Sequence, residues 1–211
     1  HIDNIDSILE NGILPFNRVR NMAHQSFAEE GVQERRDGKR VLLNDEKSYD
    51  IHDLVPLYLT PLTPTLYARL NLVDNLVLVE IQSFLVCFDS VSYAFSDGNA
   101  GSNSTRFYYS LNKLSELDWD VIWGDRWTDH DDGKRKRCSE FLIHPRVPVQ
   151  RIWRFHVSNQ NLSSTLKRKL SQHRIEKDII VDGNKFFQGH GFHRYGQQNS
   201  GGRPNQPTQS N

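Results

Sequence analysis

Between residues 52 and 157 the chain returns again and again to short runs rich in Val, Leu and Ile. They are HDLVPLYLT (52–60), NLVLVEIQS (75–83), VSYAFSDG (91–98), SEFLIH (139–144) and VQRIWRFHV (149–157). Each has the length of a strand, and Pro, Gly, Asp and Ser break the chain between them. The helical signals that intervene follow no βαβ alternation, which argues for an α+β fold over a doubly wound parallel sheet.

Helical spacing appears at the edges of this region. Ile5, Ile8 and Leu9 predict a first helix over about 3–11, with Asp3 as its cap and Gly12 as its stop. Leu66, Tyr67 and Leu70 suggest a helical turn, and Leu162, Leu166 and Leu170 a helix through LSSTLKRKLSQ. Phe107, Leu111 and Leu114, then Trp119, Ile122, Trp123 and Trp127, predict two short helices within 105–128. IIVDGNKFF (179–187) reads as a strand or as a hairpin turning at Asp182-Gly183. From Pro15 to Ser48 the chain is polar and weakly periodic, as expected of a long ligand-facing loop or of marginal helices. One domain over 1–192 is expected, followed by a tail over 193–211 too poor in apolar residues to fold.

A chain of 211 residues can bury one sizeable core, and its 36% hydrophobic and 25% charged residues are ordinary for a globular protein. Net charge is zero, so nucleic-acid binding would have to rest on a local patch. Residues 134–154 supply one, with Lys134, Arg135, Lys136, Arg137, Arg146, Arg151 and Arg154 against the single acid Glu140. No stretch is apolar for the roughly 20 residues that cross a bilayer, and HIDNIDSILE carries no secretory signal. With Cys87 and Cys138 expected as free thiols, the expected location is the cytoplasm and no membrane contact is foreseen.

Phosphate-loop, dinucleotide G-x-G-x-x-G and H-E-x-x-H patterns are absent. The run Asp129, His130, Asp131, Asp132 reads as a solvated loop, and His190 and His193 as flexible histidines, so no metal is expected. Cys138 reads as an inert thiol. Glu140 admits two readings. In an extended SEFLI it shares a face with Cys138, Leu142 and His144, which would fix the direction of a functional carboxylate. Alternatively it faces solvent and pairs with one of Lys134 to Arg137.

Six stretches, taken in order, resemble the DarT-type DNA ADP-ribosyltransferases, toxins of bacterial toxin–antitoxin systems. They are HIDNIDSILENGIL (1–14), VQERR (32–36), VPLYLTPLTPTLY (55–67), FSDGNA (95–100), LDWDVI (117–122) and KRCSEFLIHPRVP (136–148). The resemblance covers about 1–157. It implies an ADP-ribosyltransferase fold with a central split β-sheet and peripheral helices, NAD as co-substrate, and transfer of ADP-ribose to thymine or guanine in single-stranded DNA. By position, Glu140 matches the catalytic glutamate, and Arg35 the arginine that contacts NAD and assists at the base. His1, Ser7 and Pro15 fall at further NAD contacts, with Val19 to Asp37 as the NAD-binding element. Residues 99–140 match the region that approaches DNA, which implicates Asn99, Phe107, Tyr108, Lys134, Arg135, Lys136 and Arg137. Asn99 stands where relatives commonly carry His. The implied partner is an antitoxin bearing a macrodomain. Two other functions are compatible with the same fold: ADP-ribosylation of protein or RNA, and an inactive module that binds single-stranded nucleic acid.

Overall fold

A computed structural model describes residues 1–26, 31, 34–88 and 90–188. The expected tail, with His190 and His193, lies outside the described residues.

The strands gather into separate sheets. One is four-stranded and antiparallel, in the order β3 (Val55–Tyr58), β7 (Glu140–His144), β5 (Ser92–Ser96), β6 (Phe107–Tyr108). A second sets β4 (Val77–Ile81) beside β8 (Ile152–Val157), which pairs in parallel with β9 (Asp178–Val181). The α+β reading with a split sheet is therefore met. Pro56 is tolerated in β3 because β3 is an edge strand, where a missing N–H costs no ladder bond.

Alternation along β7 assigns its neighbours to different cores. Leu142 packs with Val41, Leu43, Leu54, Ala94 and Ala100, whereas Ile143 packs with Val55, Leu85, Tyr93 and Val147. The strand is thus covered on both faces, which gives a side chain at its start a fixed orientation.

The three-stranded sheet carries the helices. Helix α1 (Ile5–Asn11) and the long helix Gln160–Gln172 bury Ile5, Leu9, Leu162, Leu166 and Leu170 against Ile152, Phe155 and Val157. Full burial of each such side chain stabilises by about 1.5–3 kcal/mol. The long helix begins earlier than its leucines alone suggest, because the Asn159 side chain caps it by accepting from Leu162 N at 3.0 Å. Gly12 ends α1 at φ +78°, and a Cβ there would lie 2.4 Å from the Val147 carbonyl oxygen. Asp3 does not cap α1. A 3-10 turn, Ile2–Asn4, precedes it, with the His1 side chain accepting from Asp3 N.

Three other expectations are corrected by tertiary pairing. Residues 105–128 hold β6, a 3-10 turn (Leu111–Glu116) and only one short α-helix, Trp119–Trp123. Phe107 and Tyr108 leave the helical pattern because they pair with Ser96 and Phe95 of β5. The polar segment 15–48 contains a turn of helix, Phe16–Val19, and a small hairpin of β1 (Arg40–Leu42) and β2 (Ser48–Asp50). The strand reading of IIVDGNKFF is met by β9, while its hairpin alternative gives way to a 3-10 turn, Gly183–Phe186, that Asp182 starts.

Candidate active site

Glu140 opens β7, and its cross-strand partner is Tyr58 of β3. The residue is 0% exposed, so the solvent-facing alternative is excluded. A buried carboxylate is costly unless it is paired and hydrogen-bonded, and its partners come from two remote segments. Arg36 Nη2 donates to both carboxylate oxygens, at 2.7 Å to Oε1 and 2.8 Å to Oε2. The Ala100 backbone N–H donates to Oε1 at 3.2 Å. The strand itself is anchored by Ser96 Oγ, which accepts from Glu140 N at 3.1 Å.

These bonds leave the two oxygens unequal. Among the described residues, Oε1 accepts from Arg36 and Ala100, while Oε2 accepts from Arg36 alone and keeps capacity for another donor. Arg36 Nε is buried, and among the described residues nothing accepts from it. An open donor beside an under-used carboxylate oxygen suits a ligand rich in hydroxyl and phosphate oxygens, and a dinucleotide is such a ligand. Burial, reinforced by Glu140, pushes the Cys138 thiol up to about 11, so an inert thiol is what the surroundings favour. Among the described residues no group of His, Cys, Asp and Glu is arranged to hold a metal.

Over residues 1–187 the chain matches the family described as "DarT: ssDNA thymidine ADP-ribosyltransferase, DarT". The chain belongs to the DarT family. A curated relative, the DNA ADP-ribosyl transferase of Thermus sp. (strain 2.9), is 27% identical over 179 residues, covering 82% of this chain and 85% of that protein. A fusion of DNA ADP-ribosyl transferase and DNA ADP-ribosyl glycohydrolase from Thermosipho africanus (strain H17ap60334) is 28% identical over 198 residues. That match covers 89% of this chain and 48% of the fusion. The solved Thermus sp. 2.9 DarT in complex with ADP-ribosylated ssDNA shares the fold at a TM-score of 0.80 and 24% identity, covering 88% of this chain and 92% of that one. The same protein has been solved with NAD+.

Against this DarT framework, the side chains singled out from sequence fall into distinct places. Arg35 is exposed and does not reach Glu140; its neighbour Arg36 does. Adjacent arginines in QERR are indistinguishable by spacing, and only the approach of the 34–38 turn to β7 separates them. Ser7 is half-buried in α1, where its carbonyl accepts from the Asn11 side chain at 3.1 Å. Pro15 is buried at the start of Phe16–Val19. That helix is tied down by Asn17 Nδ2 donating to Asp53 and by Phe16 against the His52 ring. Asn99 Oδ1 accepts from Gly101 N at 2.8 Å, and so shapes the turn whose Ala100 N–H meets Glu140.

The basic run is largely neutralised by acids remote in sequence. Arg135 pairs with Asp97 and with the nearby Asp132, and Lys136 with Asp118 at 2.8 Å. Farther along, Arg154 pairs with Glu80, and Arg151 lies 3.5 Å over the Phe88 ring. Arg137 departs most from a DNA-contacting role. It is 2% exposed and donates to the carbonyls of Leu62, Val121 and Gly124, where it braces the loops behind β7. Lys134 is the exposed member of the four. Phe107 and Tyr108 are half-buried, with Tyr108 stacked on Phe95, whereas Tyr109 and Trp123 present exposed rings.

Proposed function

We propose that this chain transfers ADP-ribose from NAD to thymidine in single-stranded DNA. The observation that carries the reading is Glu140, a buried carboxylate fixed by Arg36 and Ala100 with one oxygen left under-used. When the nicotinamide–ribose bond breaks, its electron pair leaves with nicotinamide and positive charge develops at the ribose C1′. A preorganised carboxylate is worth most against such charge in a dry site, and Oε2 is the oxygen free to accept from a ribose hydroxyl. Thymine in DNA keeps one ring N–H. Its nitrogen forms the new bond to C1′, and its proton passes to solvent.

A guanidinium is a poor proton acceptor, so the role proposed for Arg35 is to steady the deprotonated base or the pyrophosphate. His1, Ser7 and Pro15 are assigned to the NAD side of the site, with Val19 to Asp37 as the NAD-binding element, of which 27–30, 32 and 33 lie outside the described residues. Lys134, with Arg135 behind it, is assigned to phosphate, and Tyr109 joins Phe107 and Tyr108 as a surface for stacked bases.

The family description favours thymidine over guanine as acceptor. The fusion relative pairs transferase and glycohydrolase in one chain, which supports a toxin role opposed by an antitoxin that removes the modification, with a macrodomain as its expected form. No helix among the described residues is long and apolar enough to cross a membrane. NAD and single-stranded DNA as substrates, with Cys87 and Cys138 as free thiols, favour the cytoplasm.

The test is incubation with labelled NAD and short single-stranded oligonucleotides differing only in base content, followed by mass spectrometry. A gain of ADP-ribose confined to thymine-containing strands is expected. Label appearing only on protein or RNA would overturn the acceptor, and an absence of nicotinamide release would overturn the activity.

A further inference from the structure

Lys39 lies three residues beyond Arg36, beside two arginines and near the carboxylate, where a lysine would ordinarily be read as a phosphate ligand. Its contacts point elsewhere. Nζ donates to Ala100 O at 3.3 Å, Gly101 O at 2.8 Å and Ser102 O at 3.0 Å. An ammonium has three donors, and all three are engaged by one turn. Burial, with the charges of Arg36 and Arg35, pushes the Lys39 pKa down, and the three carbonyl contacts oppose that push by favouring the ammonium.

The turn so gripped is the one that supplies the Ala100 N–H to Glu140 Oε1. Asn99 braces it from its other side: Asn99 O accepts from Thr105 Oγ1 at 2.7 Å, and Asn99 N donates to Arg135 O at 3.0 Å. Three carbonyl dipoles converging on one point repel one another unless a cation sits among them.

We propose that Lys39 is a positioning residue. It clamps the carbonyls of Ala100, Gly101 and Ser102, holds the Ala100 N–H on Glu140 Oε1, and so leaves Oε2 aimed at substrate. The inference deepens the reading of Glu140 given above and rests on it for its effect on turnover.

The test compares Lys39→Met, which keeps an apolar stem of similar length without donors, with Lys39→Arg, which keeps the charge. In Lys39→Met, kcat is expected to fall about ten- to hundredfold, the range for losing one hydrogen bond to a charged group. The KM for NAD should stay within about threefold, since binding is not what is lost. Lys39→Arg should recover part of kcat, its flat guanidinium fitting the three carbonyls less well. Independently of activity, the Ala100 amide should exchange with solvent faster in Lys39→Met than in wild type. Unchanged kcat, a rise in KM alone, unchanged Ala100 exchange, or a loss of kcat matched by loss of folded protein would each overturn the role. If the wild-type protein transfers no ADP-ribose, the functional reading falls, and Ala100 exchange still decides the clamp.

Discussion

Replacing Glu140 by Gln separates the structural role of this carboxylate, as the partner of Arg36 and Ala100, from the catalytic role proposed for it. The amide keeps the size and shape of the side chain, so no cavity forms. Its oxygen can take the place of Oε1 and keep the bonds from Ala100 N and Arg36 Nη2. Its NH2 group then replaces Oε2, 2.8 Å from Arg36 Nη2, and sets donor against donor in a buried place. One charge-assisted bond is lost and Arg36 loses its counter-ion, which together cost about 2–4 kcal/mol. For a chain of this size that corresponds to a Tm lower by about 5–15 °C. Glu140→Ala should cost about 3–5 kcal/mol, because Arg36 is then left buried and unpaired. Gln is therefore the informative substitution at this site. Chemistry should suffer more than folding. Loss of one preorganised electrostatic partner of the transition state lowers kcat by about 10²–10³. The assay is ADP-ribose transfer to a thymine-containing oligonucleotide at a temperature where circular dichroism reports a folded variant. Transfer within tenfold of wild type by folded Glu140→Gln would remove this carboxylate from the mechanism.

Other outcomes follow from the same geometry. Arg36→Met should destabilise by about 3–5 kcal/mol by stranding Glu140, whereas Arg35→Ala should leave the melting temperature within experimental error and reduce transfer; equal melting shifts for the two would contradict the pairing. Arg137→Met should lower stability without altering the salt dependence of DNA binding, because its guanidinium serves three carbonyls; Lys134→Ala should instead reduce the salt slope by about 0.7, the value for one phosphate on single strands. At neutral pH an alkylating reagent should modify the exposed Cys87 and spare Cys138, whose pKa burial raises to about 11; peptide mapping reads this directly. Hydrogen bonds from Lys169 and His173 hold the Asp6 carboxyl below its ordinary value against the opposing effect of burial. Since the folded-state pKa is the lower one, this tie is fully present above the unfolded value and is lost as pH falls through the folded one. Asp6→Asn should therefore flatten the acid limb of a stability-against-pH curve, and an unchanged limb would contradict it.

The fold class was legible from the apolar runs because β7, β4 and β8 carry enough Val, Ile, Leu and Phe, and β5 enough aromatic side chains in Tyr93 and Phe95, to declare a strand without knowledge of their partners. The leucines of the long C-terminal helix were legible for the same local reason. The hairpin of β1 and β2 was not, since three-residue strands with one buried side chain, Val41, complete no period. Phe107 misled because helical spacing is a local signal, and its pairing with Ser96 spans the intervening turn.

The site divides along the same line. Sequence by itself determined the family, the carboxylate Glu140 at the head of a strand, and the basic run before it, because residue type and order are local facts. Which arginine grips the carboxylate, which oxygen stays open, and which cations of KRKR remain available were decided only by the tertiary structure. Each depends on contacts across long stretches of chain, Arg36 with Glu140, Ala100 with Glu140, Asp97 with Arg135 and Leu62 with Arg137. Buried polar groups must find partners wherever the fold brings them, and nothing in the spacing of adjacent residues records where that will be.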